Sequence, residues 1–260
     1  MNKNFLKIWF MSHYIYPETI EIAKTVEEAG YDYMLIPYKS GQPDPLVKTI
    51  IMLQNTKKLN FLIAMSGYAV SEPFLIMYFE TIKELFPDRK VLINIVDGGP
   101  FEDLSKYYVD RENVKNINRN FVKSLKSQSD IKFVFSGSSD DVVQNVKDFG
   151  EFQLIPIYDF EPGKYDRIMI PRLIICARET DQEAADFASK TFDRMIANEE
   201  FSPIVVERLR KTSIIGSYEN VVKQMRNLLD NGADGFLVSD IPFEWDIHNA
   251  HKVMDMINES

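Results

Sequence analysis

The chain has 260 residues, of which 45% are hydrophobic and 12% aromatic, which is enough apolar material for a closed core and excludes the intrinsically disordered class. Its formal net charge of −9 argues against binding to a nucleic-acid backbone, which needs clustered lysine and arginine. The single cysteine, Cys176, cannot form an internal disulfide, and no apolar stretch has the length of a signal peptide or a membrane span, so we expect a cytoplasmic protein without nucleic-acid or membrane partners.

Apolar runs alternate with amphipathic segments along the whole chain. In the first half, runs at 7–11, 33–37, 61–65 and 91–96 predict strands, and helical spacing follows the first three at 17–30, 45–54 and 72–86. In the second half, runs at 131–135, 152–157, 167–176 and 235–239 predict four more strands. The runs are continuous rather than alternating, as expected for a parallel sheet buried on both faces. Eight βα units predict a (β/α)8 TIM barrel, as one domain over residues 1–260.

Two segments interrupt this rhythm. Residues 101–129 are charged and predict a helix whose apolar face carries Phe121, Val122 and Leu125. Residues 180–198 and 203–210 predict two helices between the seventh and eighth strands. We interpret both as elaborations of the barrel rather than as a second domain.

Ligands of such barrels bind at the carboxyl ends of the strands. The most informative of these ends is the turn after the fifth strand, Ser136, Gly137, Ser138 and Ser139, which opens a helix. Backbone N–H groups, hydroxyl groups and the positive end of a helix together suit a phosphate-sized anion. The same residues also suit an ordinary helix cap that binds nothing.

Two further residues are candidates for chemistry. His13 follows the first strand, where a neutral imidazole would serve as a general base, although an exposed or capping histidine fits equally well. Arg172 lies within an apolar run and needs a polar partner, which a structural salt bridge would also supply. Three histidines and one cysteine give no metal-ligand spacing, so we expect no metal site. A polar rim with one anion site indicates a bound cofactor that carries the reaction.

The chain resembles the bacterial-luciferase-like flavin-dependent monooxygenases, and within them the alkanesulfonate monooxygenase branch. The similar segments occur in family order at 9–11, 29–31 with 35–37, 59–64, 72–73, 94–98, 135–140, 177–180 with 183–184, 215–217 with 221, and 231–239. The resemblance implies FMN as cofactor, with its phosphate at Gly137, Ser138 and Ser139. It implies that the flavin ring lies near Trp9, His13, Ser66, Asp97 and Gly98.

The resemblance also implies an activity and partners. Members of this family take reduced FMN from a separate flavin reductase and use O₂ to oxidise a small organic substrate, with a deazaflavin as the less favoured cofactor here. A homodimer, or a heterodimer with a related chain, is expected from the resemblance and from the apolar run at 74–79. A thoroughly buried barrel helix would explain that run equally well.

Several positions depart from the family pattern. Gln42 stands near the position of a cysteine in the sulfonate branch, and Ile174 replaces a histidine two residues after the retained Arg172. A His-Tyr pair that helps hold the phosphate has no counterpart at 110–115, and the long lid is cut back to about 201–213. These departures leave open an alternative function, namely a non-catalytic flavin-binding protein or an accessory subunit.

Overall fold

The computed structural model describes residues 5–11, 18–38, 43–97, 104–107, 109–163, 167–198, 202–239 and 247–259. Its strands are β1 Leu6–Phe10, β2 Tyr33–Ile36, β3 Asn60–Met65, β4 Val91–Ile95, β5 Phe133–Ser136, β6 Gly150–Pro156, β7 Met169–Arg178, β8 Ser213–Ser217 and β9 Gly235–Ser239. Its helices are α1 Glu18–Glu28, α2 Pro45–Asn55, α3 Glu72–Leu85, α4 Val114–Gln128, α5 Asp140–Phe149, α6 Asp181–Ala197, α7 Pro203–Thr212, α8 Tyr218–Asp230 and α9 Ile247–Asn258. Short 3-10 helices lie at Leu104–Tyr107, Arg111–Asn113 and Ile157–Asp159.

Eight parallel strands close into a barrel. Strands β1 to β7 pair in chain order, β7 pairs with β9, and β9 pairs with β1 along its whole length, from Leu6↔Gly235 to Phe10↔Ser239. This closure confirms the predicted (β/α)8 barrel and all eight predicted barrel strands. The helix predicted from the apolar face of Phe121, Val122 and Leu125 is confirmed as α4, where all three side chains are buried.

A ninth strand, β8, was not predicted. Strand β7 is ten residues long, and its first residues pair with β6 while its last five pair with β8, from Ile174↔Ser213 to Arg178↔Ser217. The far half of β7 extends past the barrel wall, so its backbone groups need another partner. Since Ser213–Ser217 has only two apolar side chains in five residues, its hydrophobic pattern gave no strand signal.

Side chains alternate between two apolar layers because successive residues of a strand point to opposite faces. One layer fills the barrel and holds one or more side chains from each barrel strand, among them Ile8, Leu35, Leu62, Leu92, Val134, Leu154, Ile170 and Leu237. The other lies between the sheet and the surrounding helices. In the described part of the chain, no helix has both the length and the hydropathy needed to cross a bilayer.

Candidate functional site

The carboxyl ends of the eight barrel strands meet at one end of the barrel, which we call the C-terminal mouth. Asn94 of β4 and Ser136 of β5 point into the barrel there, and the Ser136 Oγ donates a hydrogen bond of 2.9 Å to the Asn94 Oδ1. Asn94 is 2% exposed. Sequence reasoning selected Ser136 but not Asn94. An amide within an otherwise apolar strand was the available signal, since burial of such a group requires a partner.

A second polar network anchors helix α4 across the ends of β3 and β4. The Gly67 N–H donates to the Asn118 Oδ1 at 2.6 Å, and the Asn118 Nδ2 donates to the Asp97 Oδ1 at 2.9 Å and to the Val96 carbonyl at 3.1 Å. The buried Ser66 hydroxyl donates to the same Val96 carbonyl. Ser66 and Asp97 therefore lie at the C-terminal mouth, and both already have protein partners. Asn118, which is 2% exposed, was not identified from the sequence.

The turn after β5 is fixed by its neighbours on β6. Gly137 has a φ of 128°, and its N–H donates to the Leu154 carbonyl at 2.9 Å while its own carbonyl accepts from the Gln153 Nε2 at 2.7 Å. The Ser138 Oγ donates to the Asp159 Oδ2 at 2.7 Å. Ser139 occupies the N-cap position of α5, yet its side chain makes no capping hydrogen bond. Among the described residues, the first N–H groups of α5 therefore have no side-chain cap, and such groups are available to bind an anion.

The charges around this turn both favour and oppose a phosphate. Asp140 and Asp141 occupy the first turn of α5, and Asp159 adds a third carboxylate. Lys115 reaches across from α4 and its Nζ lies 2.9 Å from the Asp141 Oδ2. This pair raises the pKa of Lys115 and lowers the pKa of Asp141, so both groups stay charged near neutral pH. The hydrogen-bond donors suit an anion and the carboxylates oppose one, while Lys115 is paired with Asp141.

A cavity of about 400 Å³ lies between α4 and α5, beside this turn. Its charged lining residues are Asp97, Glu112, Lys115, Arg119 and Asp141, and Ser136 also lines it. Arg119 hydrogen-bonds to Asn145 and lies 2.7 Å from the Asp148 carboxylate, so its guanidinium is already paired with side chains of α5. Two predicted site residues, Asp97 and Ser136, therefore line the same cavity as Lys115, a cation that was not predicted.

Arg172 lies inside the barrel at the level of Pro156, the last residue of β6. Its guanidinium carbon is 4.7 Å from the centre of the Phe10 ring, a cation–π distance. Phe10 is the last residue of β1 and packs against the barrel interior. The two side chains therefore face the C-terminal mouth from opposite sides of β9, which pairs with both of their strands.

Trp9 lies on the other face of β1. Its ring is 3% exposed and packs edge-on against Tyr31, with ring centres 5.5 Å apart, in the layer between the sheet and the helices. Phe10, rather than Trp9, is the β1 side chain that faces the mouth. The cofactor role of Trp9 stays a prediction that this position does not favour, and His13 and Gly98 lie outside the described residues.

Three tyrosines form an aromatic wall along one side of the mouth. Tyr38 follows β2, Tyr68 follows β3 and Tyr107 belongs to the 3-10 helix after β4. The Tyr68 and Tyr107 ring centres lie 5.1 Å apart, and the hydroxyl groups of Tyr38 and Tyr107 share a hydrogen bond. Tyr107 gave no sequence signal, because its neighbours in space come from distant strands. The described residues hold no group of three or more His, Cys, Asp or Glu side chains placed to bind a metal ion.

The family model for luciferase-like monooxygenases matches residues 11–139. A search of curated protein sequences finds no match. Solved structures resemble this chain over nearly its whole length. Riboflavin lyase, with modified FMN and substrate riboflavin, has a TM-score of 0.76 at 12% identity, covering 98% of this chain and 92% of that one. The oxygenating constituent of 3,6-diketocamphane monooxygenase from Pseudomonas putida, in complex with FMN, has a TM-score of 0.73 at 13% identity, covering 98% and 99%. The coenzyme F420-dependent tetrahydromethanopterin reductase from Methanopyrus kandleri has a TM-score of 0.73 at 12% identity, covering 96% and 97%. At such identities the likeness shows the fold alone.

Proposed function

Because the chain belongs to the luciferase-like monooxygenase family, we propose that it is a flavin-dependent monooxygenase that uses reduced FMN and O₂ to oxidise a small organic substrate. The observation that carries this proposal is the uncapped start of α5 after Gly137, at the C-terminal mouth of the barrel. Bound reduced flavin supplies the electrons that activate O₂, so the protein needs no strong nucleophile or metal of its own.

The residues of this chain would bind and orient the cofactor. Ser139 and the first N–H groups of α5 would hold the phosphate, with Lys115 as its cation. Asn94 and Ser136 present fixed polar groups inside the mouth, and Arg172 offers a charged donor on the opposite wall. The tyrosine wall of Tyr38, Tyr68 and Tyr107 would exclude water on its side of the mouth.

FMN is proposed rather than a deazaflavin. The resemblance in the turn at Gly137, Ser138 and Ser139 supports this choice, and so does the FMN complex of the similar Pseudomonas putida structure. The similar Methanopyrus kandleri reductase uses F420, so the deazaflavin is the competing cofactor in the test. A flavin reductase would supply the reduced cofactor as a separate protein.

The first experiment is an anaerobic fluorescence titration of the purified protein with reduced FMN, and a parallel titration with oxidised FMN. We expect the reduced form to bind at least about tenfold more tightly, with O₂ uptake once a reductase and a substrate are present. Ser139→Ala should weaken binding of both forms, whereas Ser189→Ala on the exposed face of α6 should not. Failure of both forms to bind would overturn the proposal. Tighter binding of reduced F420 than of reduced FMN would identify a deazaflavin as the cofactor instead.

One observation favours the second candidate, a non-catalytic flavin-binding protein or accessory subunit. Ile174, two residues after Arg172, is 1% exposed and packs with Cys176 and Phe192 beneath α6 and α7. This position therefore offers no titratable group to the C-terminal mouth. Tight binding of oxidised FMN without O₂ consumption would identify this second function.

An oligomer is proposed through the exposed face of α3. The apolar run at 74–79 divides between two environments, because Leu75 and Tyr78 are buried while Phe74 and Met77 are 50% and 61% exposed. A thoroughly buried helix therefore accounts for Leu75 and Tyr78 but not for Phe74 and Met77. A second copy or a related chain would cover Phe74 and Met77, and Met77→Glu should convert such a dimer to a monomer in light scattering. A monomeric wild-type protein would contradict the proposal.

A further inference from the structure

A second cavity, of about 490 Å³, opens at the other end of the barrel, which we call the N-terminal mouth. Its lining comes from the first residues of β1, β2, β4 and β6, the segments that lead into β4, β5 and β7, and the last turns of α3. Cavities of this size hold drug-sized ligands. We propose that it is a ligand site for a small amphipathic anion, an aromatic or aliphatic carboxylate or sulfonate.

The inner wall of this cavity is apolar. Tyr33 and Phe152 form an edge-to-face pair with ring centres 6.4 Å apart, and both belong with Leu92 to the apolar layer that fills the barrel. At the rim, Ile168 is 44% exposed. An aromatic ring or alkyl chain bound here would cover apolar surface that is now in contact with water, which favours binding by the hydrophobic effect.

The rim of the cavity is positively charged although the chain as a whole is acidic. Among the described lining residues, the four cations Lys83, Arg89, Lys90 and Lys132 outnumber the two carboxylates Asp130 and Glu151. Lys83 and Lys132 form exposed pairs of 3.5 Å with those carboxylates. In the part of the chain that the structure describes, Lys90 and Arg89 have no carboxylate within ion-pair distance. The excess positive charge selects an anion.

Tyr33 adds a directional donor at the bottom of the site. Its hydroxyl has no hydrogen-bond partner among the described residues. Burial, with the nearby Asp32 and Glu151 charges, raises the pKa of Tyr33 to about 12, so the hydroxyl keeps its proton at neutral pH. A carboxylate or sulfonate oxygen can accept a hydrogen bond from this hydroxyl, whereas a neutral hydrocarbon cannot.

This site is separate from the C-terminal mouth and does not depend on the proposed function. The five residues of β4 separate the two mouths, and at about 3.3 Å per residue they span roughly 17 Å. A ligand at the N-terminal mouth therefore cannot touch the turn at Gly137. The two sites should be occupied at the same time.

The test is a fluorescence titration with 1-anilinonaphthalene-8-sulfonate, an amphipathic sulfonate that brightens in apolar sites. We expect one molecule per folded chain, no displacement by excess FMN, and displacement by naphthalene-2-carboxylate. Failure to bind, or competition with FMN, would overturn the proposal, the latter because it would place the probe in the C-terminal mouth.

Variants locate the probe. The double substitution Lys90→Glu with Lys132→Glu should weaken binding at least about tenfold at low salt, and Ile168→Asp should weaken it similarly. Lys223→Glu, on the exposed face of α8, is the matched control and should leave the affinity within twofold. All three proteins should keep the far-ultraviolet circular dichroism of the wild type. Equal affinities in the double variant and the control would refute the site.

Discussion

The Nζ of Lys115 on α4 lies 2.9 Å from the Oδ2 of Asp141 in the first turn of α5. This pair places a cation at the helix start where the family resemblance puts the FMN phosphate, and it does so from a segment in which the His-Tyr pair of the family has no counterpart. Both partners are largely exposed, with side-chain accessibilities of 55% and 68%, so the pair itself contributes little to stability. The pair matters instead because it holds the positive charge of Lys115 where an anionic ligand would bind.

Lys115→Gln should weaken FMN binding about tenfold, because one charge-assisted contact to the phosphate is lost and Asp141 is left unneutralised. Riboflavin, which has no phosphate, should bind with nearly the same affinity as before. The ratio of the two dissociation constants is the measurement, and Lys123→Gln on the exposed face of the same helix is the control. Equal losses for both flavins would mean that Lys115 does not contact the phosphate.

Arg172→Gln should lower kcat/KM for O₂-dependent turnover by about tenfold or more, because the cation that faces the mouth across Phe10 is removed. The flavin dissociation constant should change less than threefold. Arg178→Gln is a matched control, since Arg178 lies on the same strand with its guanidinium carbon 4.0 Å from the Phe187 ring, outside the mouth. Similar kinetic effects of the two variants would show that Arg172 has a structural role and no specific role in the reaction.

Asn118→Ala should reduce the free energy of unfolding by about 2–4 kcal/mol, because the Gly67 N–H and Asp97 lose their partner in a buried network. Urea denaturation measures this change. Asn116→Ala, at an exposed position of the same helix, should change stability by less than about 0.5 kcal/mol. If the two variants unfold at the same urea concentration, the network does not stabilise the mouth.

Gly235→Ala should destabilise the barrel closure strongly. A Cβ at this position would lie 2.2 Å from the Leu6 carbonyl oxygen, a backbone atom fixed by the β1–β9 pairing. At Gly216 a Cβ would lie 3.1 Å from its nearest neighbour, the Asp181 Oδ1. The Asp181 side chain can shift to relieve that contact. We expect Gly235→Ala to lower the thermal midpoint by several degrees more than Gly216→Ala, as measured by calorimetry. The reverse order would contradict the close packing of β9 on β1.

Glu27 should make stability depend on acidic pH. Burial opposes its ionised form, but the backbone N–H groups of Lys58, Leu59 and Lys57 outweigh that effect and lower the pKa of Glu27 below the ordinary value of a glutamate side chain. A lowered folded-state pKa gives stability that is present above the unfolded pKa and is lost as the pH falls through the folded pKa.

The measurement is the urea midpoint of unfolding at pH 7, 4 and 3. Glu27→Gln should be less stable than the wild type at pH 7, and the difference should shrink as the pH falls below about 4.5. Glu28→Gln, at the exposed neighbouring position, should show no such dependence. A difference that is constant with pH would show that the Glu27 charge is not what holds the 57–59 segment.

The sequence by itself determined the barrel and the place of its turn after β5. Continuous apolar runs, helical spacing and the residues Gly137, Ser138 and Ser139 are local patterns, and local patterns can be recognised in a single sequence. They gave all eight barrel strands, the α4 helix and the family, because each strand of a closed parallel barrel is buried on both faces and so carries its own signal.

Only the tertiary structure decided which side chains share the site. Ser136 with Asn94, Asn118 with Gly67, Tyr107 with Tyr38 and Lys115 with Asp141 are pairs from 26 to 69 residues apart in the chain. Strand register decided that Phe10 faces the barrel while Trp9 does not, and a shift of one residue would have reversed them. Strand β8 forms because the far half of β7 needs a partner. Each of these outcomes depends on distances between segments that closure of the barrel sets, and no local pattern contains them.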